Sequence, residues 1–170
     1  MGNPFETLGL PPRFALRRED LEQRHRDLSR ALHPDRHAGA PASERALVAP
    51  RAADVNDALR ALRDPFGRAS ALLALHGCGL TDADRPTQEL LLEVLELREA
   101  LDLARGVEAK IAALRGRVEA LARAEEDTLS GVFRGDQAPA PGDLKRARDA
   151  AVKLRYYKRF LDEADVLEEG

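Results

Sequence analysis

The sequence predicts an all-α protein, on three observations. Ala, Leu, Glu and Arg, all good helix formers, dominate its 170 residues. Only 4% of residues are aromatic and β-branched residues are sparse, a poor composition for a sheet. Apolar residues also recur at helical spacing in one segment after another.

The elements follow in order. Phe5 to Leu10 reads as a short apolar turn, closed by Gly9 and stopped by Pro11-Pro12. A helix is expected from about Arg18 to Leu32, with Leu21, Leu28 and Leu32 on one face and Glu19, Gln23, Arg26 and Arg30 opposite. Pro34 stops it, and His33 to Ala42 is a loop. The next helix runs to about Arg63, with Val48, Val55, Leu59 and Leu62 inward; it either kinks at Pro50 or begins there. Asp64-Pro65 caps a short helix that reaches about His76, and Gly77 and Gly79 end it. Three longer helices complete the chain. They cover about Thr87–Ala104, then Val107–Leu129 with Val107, Ile111, Leu114, Val118, Leu121 and Leu129 near heptad spacing, then a helix capped by Asp143 that reaches Leu167. Ser130 to Gly142, rich in Gly and Pro, is a loop. Short connections favour antiparallel packing of the three. The division between the halves falls near Gly77, giving domains 1–76 and 77–170.

Composition bounds the function. With 44% hydrophobic residues the chain can bury a core, and 34% charged residues suit exposed helices. A formal net charge of −3 gives no overall pull toward nucleic acid or anionic membrane. No apolar run approaches the roughly 18 residues of a membrane span. The Met1–Phe5 start lacks a signal-peptide pattern, so a cytoplasmic protein is expected. Cys78 stands alone and reads as a small buried hydrophobe. No Gly-rich phosphate loop, nucleophile elbow or paired acids mark an enzyme, and no cofactor is expected. His33 and His37 have an i, i+4 spacing, but Pro34 lies between them and no Cys or carboxylate cluster completes a metal site. His25 and His76 read as structural.

The tripeptide His33-Pro34-Asp35 ends one amphipathic helix and precedes another. Proline stiffens the corner, so His33 and Asp35 are presented outward. Arg26 and Arg30, one turn apart, can meet an acidic partner, although Glu22 lies four residues before Arg26 and can pair with it. A short apolar turn, a helix with an Arg face, this tripeptide and a second helix together resemble the J domain, a helical hairpin. The resemblance implies that the loop and basic helix dock on a DnaK-type chaperone and stimulate its ATP hydrolysis, through His33, Pro34, Asp35, Arg26, Arg30 and Arg36. Leu32 stands where J domains often carry Tyr, and Arg36 where Lys is common; Glu22 and Asp27 dilute the basic face.

The likeness extends past the hairpin. Leu72-Leu73-Ala74-Leu75-His76-Gly77 after Asp64-Pro65 and Arg68-Ala69, then Glu96-Leu97-Arg98-Glu99-Ala100-Leu101-Asp102, then Val152-Lys153-Leu154-Arg155-Tyr156, resemble the HscB type of J protein in order and spacing. There is no Gly/Phe-rich linker or Cys-rich zinc region as in a general DnaJ, and the paired-cysteine extension of eukaryotic relatives is missing, so a bacterial source is expected. The resemblance implies an L-shaped molecule with a J domain and a C-terminal three-helix bundle.

The helix from Thr87 carries more leucine than one core face needs. Leu90, Val94, Leu97 and Leu101 cluster within about 60°. Leu91, Leu92 and Leu95 fall on another face, bordered by Glu96 and Glu99. In the last helix Ala147, Leu154 and Leu161 point inward with Tyr157 at the edge, whereas Tyr156 and Phe160 project elsewhere. The surplus either packs under a neighbouring helix or forms an exposed patch. By the resemblance, Leu91, Leu92, Leu95, Glu96, Glu99 and Tyr156 bind an IscU-like iron–sulfur scaffold. Leu103 stands where the family often has an acidic residue.

The expected function is therefore that of a co-chaperone, not an enzyme. It binds the scaffold, brings it to an HscA/DnaK-type ATPase chaperone, and promotes iron–sulfur cluster transfer. The rivals are a J protein with another client and an Arg-rich nucleic-acid-binding module, the latter disfavoured by the acidic balance. The spare apolar face leaves a homodimer open.

Overall fold

The computed structural model describes residues 2–81, 84–135 and 138–169. These residues form seven α-helices and one 3-10 turn, and contain no strand. The chain divides into two compact units. The first is Met1–Gly79 with Phe133–Asp136, and the second is Leu80–Val132 with Gln137–Gly170.

In the first unit, the expected N-terminal turn is a helix, α1 (Pro4–Leu8). Asn3 Oδ1 accepts from the Phe5 N–H at 3.0 Å, proline fills the first turn, and Gly9 ends the helix at φ 63°, a conformation that favours glycine. Phe5 and Leu8 are buried. Helix α2 (Arg18–Ala31) buries Leu21 and half-buries Leu28 and Leu32. Its partner is α3 (Ala42–Arg63). His25 Nε2 lies 2.8 Å from Asn56 Oδ1, and Arg63 lies 3.7 Å from Glu22, so the two helices run antiparallel. Helix α3 begins well before Pro50 and runs through it, so the reading in which it starts at the proline does not hold. Val48, Val55, Ala58 and Leu62 are buried, but Leu59 is only half-buried.

Asp64 caps α4 (Pro65–Leu75) by accepting from the Gly67 N–H at 3.0 Å. A Cβ on Gly67 would stand 2.5 Å from the Ala61 carbonyl oxygen, so glycine lets α4 press against α3. Arg68 donates to the carbonyls of Leu62 (2.9 Å) and Phe14 (2.7 Å) and lies 5.4 Å from the Phe14 ring centroid. It ties the α1–α2 connection to the α3–α4 corner. Phe133 is buried in this unit, its ring stacked on His76 at 5.8 Å. Cys78 is half-buried rather than buried, because it follows Gly77 in the turn that ends α4.

The second unit is built on α5 (Gln88–Leu103), α6 (Glu108–Val132) and α7 (Pro141–Glu169). Thr87 caps α5, accepting from the Leu90 N–H at 3.2 Å. Leu90, Val94, Leu97 and Leu101 enter the core with Ile111, Val118, Val152, Tyr157 and Phe160. Phe160 and Tyr157 were expected elsewhere and at the edge, but both are buried, and Leu161 is the half-buried one. The reason is that α7 has two helical neighbours. Tyr157 donates to Glu93 of α5 (2.9 Å) and Arg98 of α5 meets Glu163, while Lys153 donates to Glu125 of α6 (2.7 Å) and Arg115 of α6 meets Asp165 and Glu168. Burial and the Glu93 carboxylate push the Tyr157 phenol up.

Three sequence boundaries change. Val107 precedes α6, after Gly106, and is exposed. Helix α6 takes in Ser130–Val132, which were assigned to the loop. Helix α7 starts at Pro141, so Asp143 lies inside its first turn, bonded to Arg146 at 2.6 Å, and is no cap. Before α5, Asp84 accepts from Thr81 and from Arg148 of α7, and Arg155 of α7 donates to the Asp84 carbonyl at 2.8 Å. The Thr81 backbone N–H, followed by Arg148, holds the Asp84 carboxyl below the usual carboxylate range.

Candidate partner-docking surfaces

The tripeptide sits where α2 gives way to a 3-10 turn, Pro34–His37. His33 is the N-cap of that turn: its Nδ1 accepts from the Asp35 N–H at 3.3 Å. A neutral His33 therefore carries its proton on Nε2. The His33 side chain is 59% exposed and that of Asp35 is 90% exposed. Pro34 and Arg36 are exposed as well. The corner thus holds its backbone by an internal bond and leaves its side chains to solvent.

The basic face of α2 is less free than its sequence suggests. Arg26 donates to Gln23 at 2.8 Å, and Arg30 donates to Asp27 at 2.9 Å. Both arginines bond three residues back on the same helix, a spacing at which helical side chains meet. Glu22 stands 4.0 Å from Arg26 but 2.8 Å from Arg18, which lowers its pKa. Arg26 and Arg30 still expose more than half of each side chain, 56% and 70%. Exposed pairs of this kind are worth at most about 1 kcal/mol, so a partner can replace them.

His37 is engaged elsewhere, with its ring between Glu44 and the Ala31 carbonyl. His25 pairs with Asn56. Among the described residues, no three His, Cys, Asp or Glu side chains gather in a way that would hold a metal ion. None of the described helices is long and apolar enough to cross a membrane.

In the second unit the leucines of α5 separate into two sets. Leu97 is 2% exposed, whereas Leu91, Leu92 and Leu95 are 50%, 54% and 54% exposed. Glu96 and Glu99 are exposed beside them. Leu103, also exposed, follows at the end of the helix. Tyr156 lies on α7, half-buried against the margin of the core. Its neighbour Tyr157 reaches Glu93, so α7 near Tyr156 is level with the α5 segment that carries the leucines. Arg155 and Arg159 stand 5.7 and 5.9 Å from the Tyr156 ring, within cation–π range. These two arginines were not singled out from sequence, although their spacing from Tyr156, one residue before and three after, was the available signal. The surface can seat an apolar partner segment bordered by charge of both signs.

Comparison with known proteins places these features in a family. Residues 86–165 match the HSCB C-terminal oligomerisation domain. The chain is 32% identical to the co-chaperone protein HscB homolog of Vibrio vulnificus, over 98% of this chain and 97% of that one. It is 40% identical to the Bordetella pertussis homolog, over 80% and 82%. The structure superposes on chaperone HscB from Vibrio cholerae with a TM-score of 0.84 at 31% identity, covering 99% of this chain and 98% of the other. The match runs from end to end and includes both units, an all-α J domain and a C-terminal helical bundle. The chain belongs to the HscB family of co-chaperones.

Proposed function

We propose that this co-chaperone brings an IscU-like iron–sulfur scaffold to an HscA/DnaK-type ATPase chaperone in the cytoplasm and stimulates its ATP hydrolysis, so that the cluster can pass to acceptor proteins. The observation that carries this reading is the placement of two exposed surfaces on two separately packed units. The stiff corner His33-Pro34-Asp35, with Arg26, Arg30 and Arg36, lies on the first; the leucines 91, 92 and 95, with Glu96, Glu99 and Tyr156, lie on the second. The sequence halves 1–76 and 77–170 then divide the labour. The first docks on the chaperone by charge complementarity and by the tripeptide. The second holds the scaffold by burying leucines that water now covers. No bond is made or broken by this chain; it acts by bringing two partners into one complex.

The test is the ATPase rate of the purified chaperone with this protein, with and without the scaffold. Stimulation by the protein alone and a further rise with the scaffold are expected. His33→Gln should abolish both while helicity stays unchanged, since His33 contacts solvent. Stimulation by the His33→Gln protein equal to that of the parent would refute the assignment of the tripeptide.

A further inference from the structure

Helix geometry fixes which sides of α5 and α7 adjoin. Arg98 of α5 donates to Glu163 of α7 at 3.1 Å, so the sides that carry these two residues meet. At 100° per residue, Leu91 and Leu95 fall within about 60° of Arg98, whereas Glu99 and Glu96 lie about 100° and 160° away. On α7, Tyr156 and Arg159 fall within about 40° of Glu163. Tyr157 reaches Glu93, which sets Tyr156 and Arg159 level with the leucines. The surface is therefore ordered from edge to edge: Arg159, then Tyr156, then Leu91 and Leu95, then the two glutamates.

Arg159 is the cation that this order leaves available. It is exposed, and its Cζ stands 5.9 Å from the Tyr156 ring centroid. Among the described residues it has no carboxylate within ion-pair distance. Glu163, four residues on and at the spacing of a helical ion pair, accepts from the Arg98 fork with both of its oxygens. Arg155, the other arginine at the ring, donates to the Asp84 carbonyl at 2.8 Å. On the far edge Glu96 and Glu99 are exposed, and neither has an ion pair among the described residues. A guanidinium resting on an aromatic face is held in place without giving up its outward N–H groups, and its planar fork suits a carboxylate.

We infer that Arg159 is a specificity-determining residue of this docking surface: it pairs with a carboxylate of the scaffold, so the bound segment carries an acidic side chain beside the apolar ones that cover the leucines. The inference rests on the reading that these leucines hold the IscU-like scaffold. The charge order adds a direction. A segment laid across the surface meets a cation at its α7 edge and carboxylates at its α5 edge. Reversing the segment would set like charges together, a cost that fixes register. The leucines supply the contact, and the two edges select which apolar segment is accepted.

The test is calorimetric titration of the full-length protein with the purified scaffold at low and at physiological ionic strength. Arg159→Ala should weaken binding about tenfold or more, the worth of a hydrogen bond between charged groups, and should flatten its salt dependence. Arg117→Ala makes the same change in net charge at an exposed position of α6 and should leave binding within about twofold of the parent. Arg159→Lys keeps the charge without the fork and should recover only part of the loss. Arg159→Glu should bind more weakly than Arg159→Ala, because it repels the carboxylate. Each Arg159 variant should keep the parent's helicity and urea midpoint, which separates lost binding from lost folding. The inference is overturned if Arg159→Ala binds like Arg117→Ala, or if Arg159→Glu binds no more weakly than Arg159→Ala, while changing leucines 91, 92 and 95 to alanine removes binding. If that triple variant binds the scaffold as the parent does, the docking reading falls and this inference falls with it.

Discussion

Two leucines two residues apart on α5 provide a sharp test of which face is core. Leu97 is 2% exposed and packs with Val94, Leu101 and Phe160; Leu95 is 54% exposed. Cutting a buried leucine to alanine costs about 2–5 kcal/mol, because lost transfer energy is joined by a cavity. Full burial of a leucine is worth roughly 1.5–3 kcal/mol, and Leu95 is only about half-buried, so at most about half of that is at risk. No closed cavity is left, and alanine is the better helix former by a few tenths of a kcal/mol. Leu95→Ala should therefore cost about 1 kcal/mol or less, and Leu97→Ala several times more. Urea unfolding followed by circular dichroism reads both. Scaffold binding should show the opposite order: the triple change at leucines 91, 92 and 95 removes it, since interface anchors are worth about 2 kcal/mol or more each. The reasoning is refuted if Leu95→Ala destabilises as much as Leu97→Ala, or if the triple variant folds and still captures the scaffold.

Three further outcomes are expected. Arg26→Ala with Arg30→Ala should weaken chaperone docking and flatten its dependence on salt, measured by titration between low and physiological ionic strength, where screening lengths fall to about 8 Å; an unchanged salt slope would remove these arginines from the interface. Gly67→Ala should destabilise the first unit by about 1–3 kcal/mol, since its Cβ would meet a backbone oxygen that cannot swing away; a neutral effect on the thermal midpoint would show that the α3–α4 corner yields. Asp84 has a depressed pKa in the folded state, so its contribution is present above the ordinary Asp range and is lost as pH falls through the lowered value. Acid unfolding of the Asp84→Asn protein should accordingly lack part of the parent's loss of stability in that window, and superimposable acid titrations would count against a stabilising role for the bonds of Asp84 to Thr81 and Arg148.

Period-based reading succeeded on α5, whose buried residues keep to a single stripe. On α5 the 100° rotation per residue separated Leu90, Val94, Leu97 and Leu101 from Leu91, Leu92 and Leu95, and the exposures follow that division. It failed on α7, where Tyr157 and Phe160 are buried because two helices cover a wider arc than a single stripe allows for. Val107 kept the heptad spacing, but Gly106 takes up φ 75° and leaves it outside the helix. Pro50 removes the bond that the Ala46 carbonyl would accept, a local penalty that α3 absorbs through packing against α1 and α2, and propensity alone could not weigh the two. At the candidate site the tripeptide was readable as residues. The partners of its arginines were not, because Glu22 had three cations within reach and only coordinates show that Arg18 sits nearest.

Phe133 carries a practical consequence for anyone dissecting the molecule. It stacks on His76 and counts with the first unit, yet more than fifty residues of the second unit separate it from Gly79 along the chain. No single scission releases the first unit whole. A fragment ending at Gly79 would lack this ring and expose the face of His76 that it covers, so a weak or aggregation-prone fragment would reflect a missing aromatic plug rather than an inability of the hairpin to fold.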